Sequence, residues 1–342
     1  MIAYVFIDKG NFEKAIEYFK RYASVLPGAA NPLDSLAELY LQMGRLEDAA
    51  AKYQEALAIK PDFSSRLPLA YVFALKEDYA STMEGIDQFI SMNTSAGEKA
   101  AGYIWQGFYR YWLGNSDRSL GDIGKAITLA DSVGNELTKA RANWLLGWIY
   151  YDRGELELSR KHLKSWYDIY VQNRPASKPN YSISYNFLLG LIDLKAGRVN
   201  EAKSRLGEIK SSLAKIISSK ESAEFKHELL TAEIFLAEGS FEMALTACKK
   251  TSLLRFPSWS NKLDPLVYNR PFIRDTRARA YKQKGKLDKA IAEYERLITF
   301  DPDSKDRSLI HPKFLDFWQE ADPGTTEVEE ARKRLARLQI RE

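Results

Sequence analysis

The sequence predicts an all-α chain, an α-solenoid of antiparallel helical hairpins stacked side by side. Three observations predict it. The run Gly10-Asn11-Phe12-Glu13-Lys14-Ala15-Ile16-Glu17-Tyr18-Phe19 returns as Gly44 to Tyr53 and again as Gly285 to Tyr294. Marker residues in the first two copies stand 34 apart: Gly10 and Gly44, Ala15 and Ala49, Phe19 and Tyr53, Pro27 and Pro61. A small residue seven places before each turn persists along the chain as Ala37, Ala70, Gly107, Gly147, Gly190, Ala232 and Ala278. Self-similarity at a fixed period of this length marks units that cannot bury their apolar faces alone and must stack.

Each marker has a physical role. Glycine suits the left-handed residue that ends the first helix of a hairpin (helix A), where a Cβ is penalised. Alanine at the crossing lets two helix axes approach, and aromatics fill the groove beside it. Proline stops the second helix (helix B) because it lacks a donor and clashes with the preceding turn. Turns on this pattern fall at Gly10, Gly44, Glu77-Asp78, Gly114, Gly154, Gly197, Gly239 and Gly285, which gives eight hairpins over residues 1–302. From Glu77 onward they lie 37, 40, 43, 42 and 46 residues apart, so the middle hairpins are lengthened. The extra residues are expected in helix B or in the loops after it, as at 172–180 and 256–271. Prolines punctuate both stretches and disfavour helix.

The runs Leu36-Ala37, Tyr40, Gly44, Ala49, Tyr53, Ala56, Pro61 and Ala278, Tyr281, Gly285, Ala290, Tyr294, Pro302 resemble the tetratricopeptide repeat. Periods of 40 or more also suit HEAT or armadillo units; the joint glycine and alanine signature favours the tetratricopeptide. The resemblance implies a right-handed superhelix whose A helices line a concave wall, and a role in holding proteins or peptides. The family's ligand-facing positions carry over to Ile104, Phe108, Tyr111 and Trp112 in the fourth hairpin. In the fifth they are Arg141, Trp144, Trp148, Tyr151 and Asp152, and in the sixth Phe187, Leu191 and Lys195. Two readings of this aromatic strip stand open. It is a groove for an apolar peptide, or it is core that fills wider hairpins. The family's carboxylate clamp needs Lys and Asn where this chain has Ile104, Phe108, Leu145, Ser184 and Leu188, so a reader of terminal carboxylates is not expected.

At the amino end, Ala3 and Phe6 precede Gly10 by seven and four places, so the first half of a helix A is missing and an upstream segment is expected. At the other end, residues 303–342 read as a partial repeat and a terminal cap. Phe314-Leu315-Asp316-Phe317-Trp318 resembles the closing part of bacterial tetratricopeptide arrays joined to kinases or nucleotide cyclases. The last helix, about 325–341, runs from Glu327, Glu329 and Glu330 to Arg334, Arg337 and Arg341. That order complements the helix dipole and suits a capping helix.

Composition narrows the function. Of 342 residues, 50 are Lys or Arg and 46 Asp or Glu; this near balance argues against a nucleic-acid partner, including the RNA that similar helix pairs bind. One cysteine, Cys248, excludes an internal disulfide, and with His162, His227 and His311 it cannot supply a zinc finger. No apolar run reaches the roughly 18 to 20 residues that span a bilayer, and the apolar start at Met1 to Ile7 lacks a basic leader. Neither a membrane nor a cofactor is expected, and the default compartment is cytoplasmic. Gly114, Gly121 and Gly124 match no phosphate-loop spacing. Ser212-Leu213-Ala214-Lys215 resembles an SxxK nucleophile but lacks that class's partner motifs. His162 reads as a surface residue. The sequence therefore predicts a non-catalytic scaffold for a protein or peptide, with self-association allowed, in a bacterial signalling assembly. The alternative is a sensor holding a small molecule in the aromatic groove.

Overall fold

Helix A of a hairpin must stop abruptly for helix B to fold back, and glycine provides the stop. The computed structural model describes residues 2–8, 11–76, 78–216, 220–250 and 272–298. In it Gly44, Gly114, Gly154, Gly197, Gly239 and Gly285 all take positive φ, from 69° to 80°. At each, the glycine N–H donates to the carbonyl three residues back and the following N–H to the carbonyl five back. At the first, Gly44 donates to Leu41 and Arg45 to Tyr40, both at 2.9 Å. These bonds occupy carbonyls that a helix end leaves without partners. Asp78 makes the corresponding bond to Phe73 at 2.9 Å, while Gly10 and Glu77 lie outside the described residues.

The described residues form sixteen α-helices and no strand. They follow as hairpins: α1 (Ile2–Asp8) and α2 (Phe12–Val25); α3 (Ala30–Gln42) and α4 (Leu46–Ile59); α5 (Arg66–Leu75) and α6 (Tyr79–Met92); α7 (Ala96–Trp112) and α8 (Ser116–Ser132). Next come α9 (Glu136–Asp152) and α10 (Leu156–Asn173), then α11 (Lys178–Lys195) and α12 (Val199–Leu213). The last are α13 (Lys220–Ala237) and α14 (Phe241–Lys250), then α15 (Phe272–Gln283) and α16 (Leu287–Ile298). Residues 299–342, with the expected cap, and 256–271 lie outside the described residues. The chain clusters into two units, one ending at Gln106 and the other running from Gly107 through the described residues to Ile298.

One pair of positions sets the spacing inside every hairpin. The residue seven before the turn and the residue five after it are small and buried throughout. They are Ala3 with Ala15, Ala37 with Ala49, Ala70 with Thr82, Gly107 with Ser119, Gly147 with Ser159, Gly190 with Ala202, Ala232 with Ala244, and Ala278 with Ala290. In three hairpins the second member is a hydroxyl that donates across the crossing. Ser119 Oγ reaches Gly107 O at 2.6 Å, Ser159 Oγ reaches Gly147 O at 2.6 Å, and Thr82 Oγ1 reaches Ala70 O at 3.2 Å. Such a buried hydroxyl tolerates its loss of water only because the carbonyl receives it.

The lengthening of the middle hairpins differs from the expectation. It goes into both helices, with α7 to α11 having 17 or 18 residues against 13 or 14 in α2 to α4. The proline-marked stretch at 172–180 is almost wholly helical. α10 runs to Asn173, Pro175–Ser177 makes a 3-10 turn, and α11 starts at Lys178 with Pro179 in its first turn. A first-turn N–H has no intrahelical partner, so proline removes nothing there.

Candidate functional site

The second unit positions most of the predicted groove residues, and it buries many of them. Phe108, Trp148 and Phe187 are fully buried, Leu191 and Trp144 nearly so; Ile104, in the first unit, is 2% exposed. The six residues from Trp144 to Ile149 are all buried in succession. A helix covered on every side along two turns is a core helix, not one wall of an open groove. The rings interlock to fill the space between the longer helices. Trp144 lies 4.5 Å from Trp166 of α10 between ring centroids and meets Trp148 edge-on at 5.9 Å. Ile104, Phe108, Trp144, Trp148, Phe187 and Leu191 thus pack as core in this structure, which favours the core reading of these positions over the groove. Their positions were carried over from shorter repeats, where less ring volume is needed to fill the hairpin.

The accessible remainder gathers at the C-terminal ends of α7, α9 and α11. Tyr111 and Tyr151 are half-buried, and Arg141 is exposed earlier on α9. Trp112 closes α7, but its side chain is outside the described set. The Tyr111 hydroxyl donates to the Asp152 carboxylate. The Lys195 ammonium donates to the carbonyls of Tyr151 at 2.8 Å and Asp152 at 3.2 Å, and sits 4.7 Å from the centre of the Tyr151 ring. A cation at the last carbonyls of α9 meets the negative end of its dipole, and its place over an aromatic face adds a cation–π contact. Tyr151 also packs edge-on against buried Trp148 at 5.9 Å, so the core holds its ring in place. A carboxylate, an ammonium and two phenols thus stand together on fixed helix ends.

Further polar features lie off this strip. His162 is half-buried, not a surface residue. It stacks on Tyr150 at 5.3 Å and shares a hydrogen bond with Asn143 Oδ1 at 2.8 Å, and burial, aided by Lys161, lowers its pKa. Asp122 is buried against Arg110 at 2.5 Å, and burial raises its carboxyl despite that cation. Burial, with Glu233 nearby, pushes the Cys248 thiol up to about 12, which keeps it protonated and poorly nucleophilic. Among the described residues no three His, Cys, Asp or Glu side chains gather as metal ligands, and no helix is long and apolar enough to cross a membrane. Sequence reasoning missed the crossing hydroxyls Thr82, Ser119 and Ser159. The slot five after each turn, occupied by alanine elsewhere, was the signal that could have found them.

Comparison with known proteins agrees with this geometry. Residues 1–64 match one tetratricopeptide repeat model, and residues 275–304 match a second. The 43 kDa receptor-associated protein of the synapse from Tetronarce californica is 24% identical over 143 residues, 39% of this chain and 35% of that protein. The chain thus spans about a third of the length of the curated relative it matches. A tetratricopeptide repeat protein from Parabacteroides merdae superposes with a TM-score of 0.52 at 17% identity, covering 81% of this chain and 95% of that one. That likeness speaks for the fold alone. With repeat matches at residues 1–64 and 275–304, and glycine-capped hairpins between them, the chain carries tetratricopeptide repeats within an all-α helical-repeat fold.

Proposed function

We propose that this chain is a non-catalytic scaffold that holds a protein or peptide segment along the ends of α7, α9 and α11. The observation that carries the reading is the strip of Tyr111, Tyr151, Asp152 and Lys195. Half-exposed tyrosines on rigid helix ends give contact area at low entropic cost, and tyrosine is enriched among interface anchors. Lys195, exposed and anchored on the last carbonyls of α9, adds a positive charge beside the two rings. Tetratricopeptide arrays are a protein-binding fold, and the curated relative is named as associated with a receptor, which points the same way. The rings that would line a small-molecule pocket are buried in one another, which leaves the sensor alternative without support among the described residues. The bacterial signalling context rests on residues 314–323, outside the described set.

The test is selection of a displayed peptide library on the full chain, followed by titration of an enriched peptide. Tyr151→Ala and Lys195→Met together should weaken that peptide roughly tenfold or more, the size of one to two hot-spot contacts, with the melting temperature nearly unchanged. Trp148→Ala should instead lower the melting temperature, since the ring is core. No enrichment, or peptides that bind the double variant as tightly as the parent, sinks the proposal.

A further inference from the structure

Asp193 of α11 has more positive charge around it than its burial requires. Its side chain is 2% exposed. Arg160 of α10 donates to it through Nη2, and Arg198, at the start of α12, donates through Nε at 3.1 Å. Arg205, two turns further along α12, places Nε 3.6 Å from the second carboxylate oxygen. A buried carboxylate needs a well-placed cation and further hydrogen bonds to its remaining lone pairs. At Asp122, 1% exposed, two cations stand within the same reach, Arg110 at 2.5 Å and Lys125 at 3.6 Å. Around Asp193 three guanidiniums, one from the fifth hairpin and two from the sixth, meet one carboxylate, a surplus of two positive charges; Glu157, 87% exposed and 3.8 Å from Arg160, offsets part of it.

The surplus faces outward. Arg160 is the most buried of the three at 22%, against 40% for Arg198 and 36% for Arg205. Arg205 Nε and Asp193 Oδ2 are buried and make no hydrogen bond. Among the described residues the terminal nitrogens of Arg198 and Arg205 bond to no protein atom, and neither side chain is buried. α12 begins at Val199, and its N-cap residue, Arg198, makes no side-chain capping bond. Its first-turn N–H groups and positive dipole end lie beside the same guanidiniums, with exposed Glu201 the one acid of that turn.

We propose that Arg160, Arg198 and Arg205, held in place by Asp193, form a site for a phosphate monoester, presented as a phosphorylated Ser or Thr of a partner segment. The carrier rests on the scaffold reading above; the anion site does not. A phosphate monoester carries about 1.5 to 2 negative charges near pH 7 and three acceptor oxygens, which match two surplus charges and solvent-facing guanidinium forks. A membrane surface is a poorer fit, because recognition of anionic lipid takes clusters of about four to eight basic residues.

Calorimetric titration of the full chain with inorganic phosphate tests the anion site without any peptide. A phosphoserine hexapeptide and its unphosphorylated twin test the carrier, and vesicles containing phosphatidic acid test the lipid source. Inorganic phosphate should bind, and the phosphopeptide should bind roughly tenfold or more tightly than its twin, with affinity falling as salt rises. Arg198→Gln with Arg205→Gln should lose about tenfold or more for both ligands while helicity is kept, since Arg160 still holds Asp193. Should the double variant unfold, Arg205→Gln alone gives the readout, because its Nε makes no hydrogen bond. Absence of phosphate binding, or binding unchanged in the variants, overturns the site. Phosphate binding with no preference for the phosphopeptide, or stronger capture by the vesicles, overturns the carrier.

Discussion

Replacing Gly107 and Gly147 separately with alanine should move stability in opposite directions, although both occupy the same crossing position. A Cβ built on Gly107 falls 2.7 Å from Ile123 Cγ1 and 3.2 Å from the Ser119 carbonyl oxygen. Ile123 is fully buried and β-branched, so its χ1 has little freedom to yield, and backbone at Ser119 yields less. α7 must lift from α8, an overpacking cost of about 1–3 kcal/mol. The Ser119 bond to Gly107 O stretches with it, worth up to about 1 kcal/mol. Removing a helical glycine returns about 0.5–1 kcal/mol. The net is a loss of roughly 1–3 kcal/mol, or a melting temperature about 2–10 °C lower for a unit of this size. At Gly147 the nearest atoms are Leu163 Cβ and N at 3.7 Å and Leu188 Cδ2 at 3.8 Å, ordinary contacts. Only the glycine term remains, so the alanine variant should gain about 0.5–1 kcal/mol. Urea unfolding followed by far-UV circular dichroism on the parent and both variants gives the signs. Equal losses, or two neutral variants, would refute the claim that the fourth crossing is tighter than the fifth.

Two further outcomes follow from buried polar groups. Ser159→Ala removes the hydroxyl that bridges α10 to Gly147 O at 2.6 Å and should cost about 0.5–1.5 kcal/mol in the same urea assay; no change would mean the crossing is held by packing alone. His162 has its pKa lowered, first by burial and then by Lys161, with Tyr150 and Asn143 as its other neighbours. The unfolded chain, with a value near 6.5, takes up the proton more readily. The neutral ring's contribution to stability is therefore complete above about pH 6.5 and is lost as pH falls through the lower folded-state value. Melting temperatures from pH 8 to 5 should fall more for the parent than for His162→Gln, and parallel curves would remove His162 as the cause.

The turns were legible because each depends on one residue type acting locally. A glycine at positive φ with two backward backbone bonds is decided within six residues, and Gly44, Gly114, Gly154, Gly197, Gly239 and Gly285 all behave so. The aromatics were not legible in the same way. Whether Trp148 faces solvent or core depends on how far apart long helices stand, and Trp166, 18 residues on, takes part in filling that space through Trp144. Pro175 and Pro179 misled for a related reason: a proline's residue type is local, but its place in the first turn of a helix is known only once the helix start is known.

Asp193 shows where reading a repeat by its markers stops. It stands four before Gly197, and its counterparts are Tyr40, Phe73, Arg110, Tyr150, Phe235 and Tyr281, so the slot has no fixed chemistry. In three hairpins its partner stands eight places after the turn. Arg110 meets Asp122 there, Tyr150 meets His162, and Asp193 meets Arg205. Charge has even been exchanged between the two helices, acid on helix B in the fourth hairpin and on helix A in the sixth. A contact that survives such an exchange is set by geometry and filled by whatever pair is compatible with burial. Individuality in a solenoid can therefore collect at paired slots like this one, while the glycine and the small crossing residues stay constant. In the sixth hairpin the slot holds a surplus of arginine, and that excess over structural need is what makes it a candidate for recognition.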